Sequence, residues 1–165
     1  MAIKITFLGA GSSVFVRNVL GDCIIHPELE DLTFALYDID AQRLEDSYLM
    51  LHAICAHYGK SVKMEKYVGV EELPQALTGA NFLICAIQVG GYDPCTISDF
   101  EIPKKYGLRQ TIADTLGVGG VFRALRTIPV LEDFARDMEE VCPNAWFLNY
   151  TNPRAMLSGY MQRYT

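Results

Sequence analysis

The sequence predicts a doubly wound α/β fold, in which a parallel sheet is covered by helices on both faces. The first observation is a short apolar strand, residues 3–8, that runs directly into Gly9 and Gly11. The second is an apolar run that begins at Leu32 and ends in acid at Asp38. The third is the alternation of strand-length apolar runs with longer segments of helical periodicity along the chain.

The glycine loop, residues 9–15, is typical of the first turn of a dinucleotide-binding unit. Gly9 permits a turn that a side chain would block, and Gly11 lets backbone N–H groups approach a pyrophosphate at a helix start. Ser12 and the serine after it add hydroxyl donors and a helix cap. Val14 occupies the place of the usual third glycine, so an ordinary strand–turn–helix corner is the alternative.

Asp38 follows this loop at close to the roughly 20-residue spacing at which a ribose-binding acid is found. Its carboxylate can accept hydrogen bonds from the adenosine ribose diol. It would also repel a 2′-phosphate, so NAD is favoured over NADP. The alternative is that Asp38 and Asp40 only cap a helix that begins near Ala41, and both roles can coexist.

The remaining elements follow from apolar patterns and from residues that end helices. A helix over residues 14–24 ends near Pro27, because a residue before proline avoids helical geometry. A second helix, residues 41–58, carries an apolar stripe and ends at Gly59. Further strands are predicted over 63–68, 81–89 and 146–148, a short helix over 71–77, and a helix over 122–141 in which Pro129 forces a kink or a new start.

Composition limits the class of protein. The 165 residues are 50% hydrophobic, enough for a sizeable core, and fit one domain. A net charge of −6 without a basic cluster argues against a sequence-independent nucleic-acid binder. No signal peptide and no membrane-length apolar run is found, so a cytoplasmic protein without membrane partners is expected. The five cysteines are scattered, and most of them are expected to be reduced, buried side chains.

Three unusual segments follow predicted strands, where α/β proteins place their chemistry. Residues 88–92 contain a Gly-Gly pair that would let the backbone pass close to a cofactor, or form a plain turn. Residues 114–120 contain three glycines that would form an anion-binding nest or a flexible connection. Asp114 begins that segment and, as a lone acid, would ordinarily be solvated or cap a helix. Residues 149–153 contain two asparagines that can orient a carbonyl or hydroxyl group, although Asn before Pro is also ordinary turn chemistry.

Four motifs, taken in order, resemble the N-terminal part of glycoside hydrolase family 4, the NAD-dependent glycosidases. They are Gly9-Ala-Gly-Ser, Gln88-Val-Gly-Gly-Tyr, Gly117-Val-Gly-Gly-Val-Phe-Arg-Ala-Leu-Arg-Thr-Ile-Pro and Asn149-Tyr-Thr-Asn-Pro. The likeness covers residues 3–156, and residues 93–101 and 111–117 are most similar to the α-galactosidase branch. Cys95 stands where the phospho-sugar branches carry an arginine, which argues for an unphosphorylated hexoside.

The resemblance implies hydrolysis of an α-glycoside by a route that differs from the two-carboxylate scheme. Hydride passes from sugar C3 to NAD, a base removes the C2 proton, and the C1 substituent is eliminated. Water then adds and the hydride returns, so no net oxidation occurs. A divalent metal, manganese, polarises the C2 and C3 oxygens.

The resemblance also implies roles for individual residues. Asn152 and Asp114 would contact the sugar, with Asp114 as proton donor to the leaving group. Arg43 would lie near the adenine. The implied NAD contacts are Gly9, Ala10, Gly11, Ser12, Ser13, Val14, Phe15, Asp38, Arg43, Gln88, Val89, Gly90 and Asn149.

The resemblance places the family's metal-binding Cys and His, and its tyrosine base, after Thr165, so no metal ligand is assigned in this chain. The three histidines are expected to be surface or packing residues, and Arg154 departs from the methionine expected after Asn-Pro. Residues 1–165 would then be the NAD-binding, Rossmann-like domain that ends where the substrate and metal domain begins. A small-molecule glycoside is the expected partner, in a homo-oligomeric full-length enzyme. The alternatives are a stand-alone, non-catalytic NAD-binding module and, third, an oxidoreductase like lactate or malate dehydrogenase.

Overall fold

The computed structural model describes residues 2–165, which form a five-stranded parallel sheet with flanking helices. The strands are β1 (Ile3–Leu8), β2 (Leu32–Asp38), β3 (Lys63–Val68), β4 (Phe82–Cys85) and β5 (Trp146–Asn149). The helices are α1 (Ser13–Ile25), α2 (Ala41–Tyr58), α3 (Leu73–Leu77), α4 (Ile97–Lys104), α5 (Gly117–Val141) and α6 (Arg154–Tyr164). A 3₁₀ turn covers Val70–Glu72, and a π-helical turn covers Gly91–Thr96. The predicted α/β fold is confirmed.

The strand order is β3-β2-β1-β4-β5, so the sheet grows in opposite directions from β1. Parallel pairing of β1 with β2 and β4 places Leu8 opposite both Tyr37 and Cys85. The carboxyl ends of these three strands therefore lie side by side. In open α/β sheets, ligands bind at this edge where the strand order reverses.

Helices cover both faces of the sheet, as the alternation of side chains along β1 shows. Ile5 and Phe7 belong to a buried apolar cluster that also contains side chains of α1 and α2. Thr6, which lies between them and points to the opposite face, donates its hydroxyl hydrogen to the carbonyl oxygen of Ala76 in α3, at 2.8 Å. The helices α1 and α2 therefore cover one face, and α3 covers the other.

The boundaries of α2 follow from the residues at its two ends. Asp40 Oδ1 accepts hydrogen bonds from the backbone N–H groups of Gln42 and Arg43, at 3.0 and 3.1 Å. Gly59 ends the helix in the left-handed region, at φ 61° and ψ 30°. The predicted stripe lies in the apolar cluster or packs against it: Leu44, Tyr48, Leu51, Ile54 and Cys55. Both predicted bounds of this helix are confirmed.

Strand β4 is shorter than predicted, because it ends at Cys85 and does not reach residue 89. Its neighbour β1 ends at Leu8, after which Gly9 turns the chain. The backbone N–H of Ala86 still donates to the carbonyl oxygen of Leu8, at 2.8 Å. After that bond, β1 has no further residues with which β4 can form backbone hydrogen bonds. The apolar residues that follow Cys85 therefore do not extend β4.

Helix α5 is longer than predicted, because it begins at Gly117 and continues through Pro129 without a new start. Proline removes one intrahelical hydrogen bond, but buried side chains lie on both sides of it, including Thr127 and Leu131. Tertiary packing therefore outweighs the local preference. The sequence patterns did not predict α4 and α6.

The described residues divide into two compact units. The first contains the residues up to Ile87 together with Asp137–Leu148, and the second contains Gln88–Arg136 together with Asn149–Thr165. The glycine loop and Asp38 therefore belong to the first unit, and Asp114 belongs to the second.

Candidate functional site

The glycine loop of the first unit contains two positions that accept no side chain. Gly9 has φ +88°, and a Cβ atom there would lie 2.7 Å from the carbonyl oxygen of Ala86. A Cβ atom on Gly11 would lie 2.7 Å from Asp38 Oδ2 and 3.0 Å from the Cβ of Arg43. Gly9 therefore makes the predicted turn, and Gly11 brings the backbone against the end of β2.

Asp38 and Asp40 have different roles, whereas helix capping by both residues was the alternative that the sequence left open beside ribose binding by Asp38. Only Asp40 caps α2. Asp38 Oδ2 accepts a hydrogen bond from the Gly11 N–H at 2.6 Å, and Oδ1 accepts one from the Asp40 N–H at 2.9 Å. The half-buried Asp38 carboxylate thus joins the glycine loop to the end of β2, where a ribose-binding acid is expected.

The start of α1 is less capped than its sequence predicts. Ser12 occupies the N-cap position, but its side chain makes no capping hydrogen bond. Val14 and Phe15 are exposed, at 62% and 44%, in the first turn of the helix. Ala10, in contrast, is buried, and its backbone N–H donates to the carbonyl oxygen of Tyr37 at 2.9 Å. The anchored part of the loop therefore leads into an exposed helix N-terminus.

In the second unit, the segment that follows β4 is shaped by contacts to neighbouring side chains. Gln88 Nε2 donates to Thr96 Oγ1 at 3.2 Å. Gly90 has φ +86°, and a Cβ atom there would collide with the side chain of Cys95 and lie 3.1 Å from Arg126 Cδ. Gly90 is therefore required by packing as well as by its backbone conformation, which a plain turn would not demand.

Asp114 and Asn152, which the sequence assigns to the same site, lie together in the second unit. Asn152 Nδ2 donates to Asp114 Oδ2 at 3.2 Å, although the two residues are far apart in the chain. Arg123 Nε donates to the carbonyl oxygen of Asn152 at 3.1 Å. Burial lowers the pKa of the Arg123 guanidinium, and the nearby charge of Asp114 opposes this effect. These three residues form a polar cluster, so Asp114 is not the lone solvated acid that its sequence context would ordinarily suggest.

Asn149, the last residue of β5, makes side-chain hydrogen bonds to residues that follow it closely in the chain. Its Oδ1 accepts from the backbone N–H of Thr151 at 2.9 Å, and its Nδ2 donates to Ser158 Oγ at 3.3 Å. The Asn149 side chain thus makes local contacts, whereas the turn chemistry expected from the sequence concerned Asn152, the residue before Pro153. The direct contact of Asn149 with a cofactor stays a prediction.

The three glycines at the start of α5 form neither of the two arrangements expected from the sequence. The N–H of Gly119 donates to Gln110 Oε1 at 3.1 Å, and the N–H of Gly120 donates to the carbonyl oxygen of Leu116 at 3.2 Å. A Cβ atom on Gly119 would lie 2.6 Å from the Cβ of Ala113. These glycines therefore allow tight packing of the helix start, rather than forming an open nest or a flexible connection.

The sequence patterns did not predict an ion pair between Arg126 and Asp99. Two hydrogen bonds join the guanidinium to the carboxylate, at 2.7 and 3.2 Å, and the Asp99 side chain is only 3% exposed. Arg126 Nε also donates to the carbonyl oxygen of Val89 at 3.1 Å. Hydrogen bonding to Asp99 raises the pKa of Arg126. The sequence feature that could have indicated this role is the position of Arg126 three residues after Arg123, which places both arginines on the same face of the helix.

The described residues contain no group of three or more His, Cys, Asp or Glu side chains that could hold a metal ion. All three histidines are exposed, as the sequence predicts: His26, His52 and His57. Across residues 2–165, no helix combines the length and apolar character needed to span a bilayer.

Comparison with known proteins decides the family. Residues 4–165 match the model of the "Family 4 glycosyl hydrolase" group. The chain belongs to glycosyl hydrolase family 4. It is 60% identical over 162 residues to an α-galactosidase of Bacillus subtilis (strain 168), covering 98% of this chain and 37% of that protein. It is 36% identical over 155 residues to an α-galacturonidase of Thermoanaerobacter italicus, covering 93% of this chain and 32% of the relative.

A solved family 4 structure shows the same fold. The 6-phospho-β-glucosidase of Thermotoga maritima, determined with manganese, NAD⁺ and glucose-6-phosphate, superposes with a TM-score of 0.83 at 26% identity. The match covers 98% of this chain and 37% of that structure. The chain thus spans about a third of the length of the family 4 relatives that it matches.

Proposed function

We propose that this chain is the NAD-binding part of an NAD- and divalent-metal-dependent glycosidase of the α-galactosidase type. The enzyme would hydrolyse α-glycosides by transient oxidation at C3, deprotonation at C2, elimination and addition of water. The observation that carries the proposal is the bond between the Asp38 carboxylate and the Gly11 N–H, in a family 4 chain that is 60% identical to an α-galactosidase.

The first unit fits the adenosine and pyrophosphate groups of NAD. Gly11 keeps the loop free of a side chain beside Asp38, and the backbone there can approach a pyrophosphate closely. The N-terminus of α1 attracts anions through its dipole and is not satisfied by the Ser12 side chain. Asp38 keeps a half-buried carboxylate that can accept from ribose hydroxyls, and Arg43 lies beside the loop.

The second unit offers polar groups suited to a sugar. When bound, NAD would supply a hydride acceptor for the C3 position. Asn152 and Asp114 would hydrogen-bond the sugar hydroxyls, and Asp114 would act as proton donor to the leaving group. Arg123 holds the Asn152 backbone in place through its bond to the carbonyl oxygen. Further contacts with NAD would come from four residues: Gln88, Val89, Gly90 and Asn149.

A metal has no matching ligand set among the described residues, so no step of the reaction is assigned to a metal here. Manganese dependence is therefore a proposal about the whole protein. Location in the cytoplasm and homo-oligomeric assembly likewise remain predictions from the sequence.

The test is calorimetric titration of the protein, expressed from its complete reading frame, with NAD⁺ and separately with NADP⁺. We expect NAD⁺ to bind more tightly than NADP⁺. Asp38→Asn should weaken NAD⁺ binding about tenfold, because a hydrogen bond to a charged group contributes about 1.5 kcal/mol or more. Asp40→Asn is the matched control, since Asp40 caps α2 and makes no bond to the glycine loop.

Hydrolysis of a 4-nitrophenyl α-galactoside with and without added NAD⁺ and Mn²⁺ tests the catalytic part. NAD⁺ binding without hydrolysis of any α-glycoside would support the non-catalytic module. Equal affinity of the wild type and Asp38→Asn for NAD⁺ would contradict the assigned ribose contact.

A further inference from the structure

The Arg126–Asp99 ion pair neutralises a buried charge and also fixes the orientation of the arginine side chain. Both Nη atoms bond the two carboxylate oxygens, so the plane of the guanidinium is fixed. Asp99 is held in turn, because its carbonyl oxygen accepts from Gln110 Nε2 at 3.0 Å. The pair is therefore a rigid support inside the second unit.

The third donor of Arg126 is directed at the segment that follows β4. Nε donates to the carbonyl oxygen of Val89 at 3.1 Å, and the Cδ of Arg126 lies against Gly90. Gly90 is in the left-handed region, at φ +86°. A single side chain thus fixes the carbonyl direction of one residue and the position of the next.

We propose that Arg126, held by Asp99, is a positioning residue that sets the backbone of Val89 and Gly90 for cofactor binding. This inference rests on the proposed function, in which these two residues contact NAD. Arg126 itself is not assigned a contact with the cofactor or the substrate.

An arginine is required for this role because one planar group must serve two partners at fixed angles. Lysine carries a single ammonium on a flexible stem, so it can pair with Asp99 but cannot hold the Val89 carbonyl in the same geometry. An apolar pair of similar volume can replace a buried ion pair without loss of stability, but it offers no donor to that carbonyl. Stability and positioning can therefore be separated by mutation.

The test compares the double variant Arg126→Met with Asp99→Leu, the single variant Arg126→Lys, and the wild type. Each protein is expressed from the complete reading frame, its thermal unfolding is measured, and NAD⁺ affinity is determined by calorimetry. The matched control is Arg136→Gln with Asp133→Asn, which removes an exposed ion pair, 72% and 66% exposed, from the same helix.

We expect the double variant to unfold near the wild-type temperature and to bind NAD⁺ about tenfold more weakly, a change of about 1.4 kcal/mol. Arg126→Lys should show a smaller loss, and the control pair none. A folded double variant with wild-type affinity would overturn the proposal and leave the ion pair a purely structural role. If the double variant does not fold, unchanged affinity in Arg126→Lys overturns the proposal.

The failure of this proposal can be distinguished from failure of the proposed function. A wild-type protein that binds no NAD⁺ contradicts both. A wild-type protein that binds NAD⁺ as expected, while the folded variants bind it equally well, contradicts only the positioning role.

Discussion

The substitution Gly11→Ala tests whether the glycine loop needs space rather than backbone freedom. The added Cβ would lie 2.7 Å from Asp38 Oδ2, 3.0 Å from Asp38 Cγ and 3.0 Å from the Cβ of Arg43. The φ angle of Gly11 is not in the left-handed region, so alanine meets no backbone penalty there. Overpacking of this kind costs about 1–3 kcal/mol, because the loop and the end of β2 must separate.

The separation has a second cost, since the Gly11 N–H bond to Asp38 at 2.6 Å would lengthen or break. We expect the free energy of unfolding to fall by about 1–3 kcal/mol, which lowers Tm by about 2–4 °C per kcal/mol in a chain of this size. We also expect NAD⁺ affinity to fall by about tenfold or more, because the backbone at Gly11 and the Asp38 carboxylate, which are both proposed to contact NAD⁺, would move.

The assay combines thermal unfolding with calorimetric titration of NAD⁺, and Gly21→Ala is the matched control. Gly21 is buried within α1, but a Cβ there would meet only Ile54 Cδ1, at 3.7 Å. Alanine at this helix position should be neutral or stabilise by up to about 1 kcal/mol. Wild-type unfolding and wild-type NAD⁺ affinity in Gly11→Ala would refute the reasoning, because the close approach to Asp38 would then not matter.

Three further predictions concern the stability of the first unit and are checked by unfolding measurements. Ser47→Ala should raise the free energy of unfolding by about 1 kcal/mol, because the buried Ser47 hydroxyl has no hydrogen-bond partner among the described residues. A loss of stability would contradict this prediction. Gly59→Ala should lower the free energy of unfolding by about 1 kcal/mol, because Gly59 ends α2 at φ 61°. An unchanged Tm would refute the proposed role of Gly59 as the residue that caps α2. A hydrogen bond from Lys63 lowers the pKa of Glu65 below its ordinary 4.5, so this carboxylate stabilises the fold above that pH. The stabilisation is lost as the pH falls through the lower, folded pKa, and Glu65→Gln should flatten this acid limb; an unaltered pH profile would count against the pair.

Some features follow from the sequence because local chemistry decides them. The bounds of α2 and β3 are set by Asp40, by Gly59 and by short-range periodicity, and these were predicted correctly. The glycine loop and the acid at Asp38 lie at neighbouring strand ends in any parallel βαβ unit, so their pairing follows from strand order. The family also follows from the sequence, because its motifs are identified by residue type and spacing without information on their contacts.

Other features depend on contacts between residues distant in the chain, which no local pattern contains. The length of β4 is limited by where its neighbour β1 ends, and the start of α5 depends on packing against Gln110 and Ala113. Asp38 and Asp40 have separate roles because the fold brings the Gly11 N–H within hydrogen-bond distance of Asp38. The Arg126–Asp99 pair joins two segments that are unrelated in sequence. The sequence by itself determined the fold class, the family and the bounds of α2 and β3, because these depend on local propensity and motif spacing. Only the tertiary structure decided which polar groups are held by other groups of the protein, because hydrogen-bond partners are assigned by the fold.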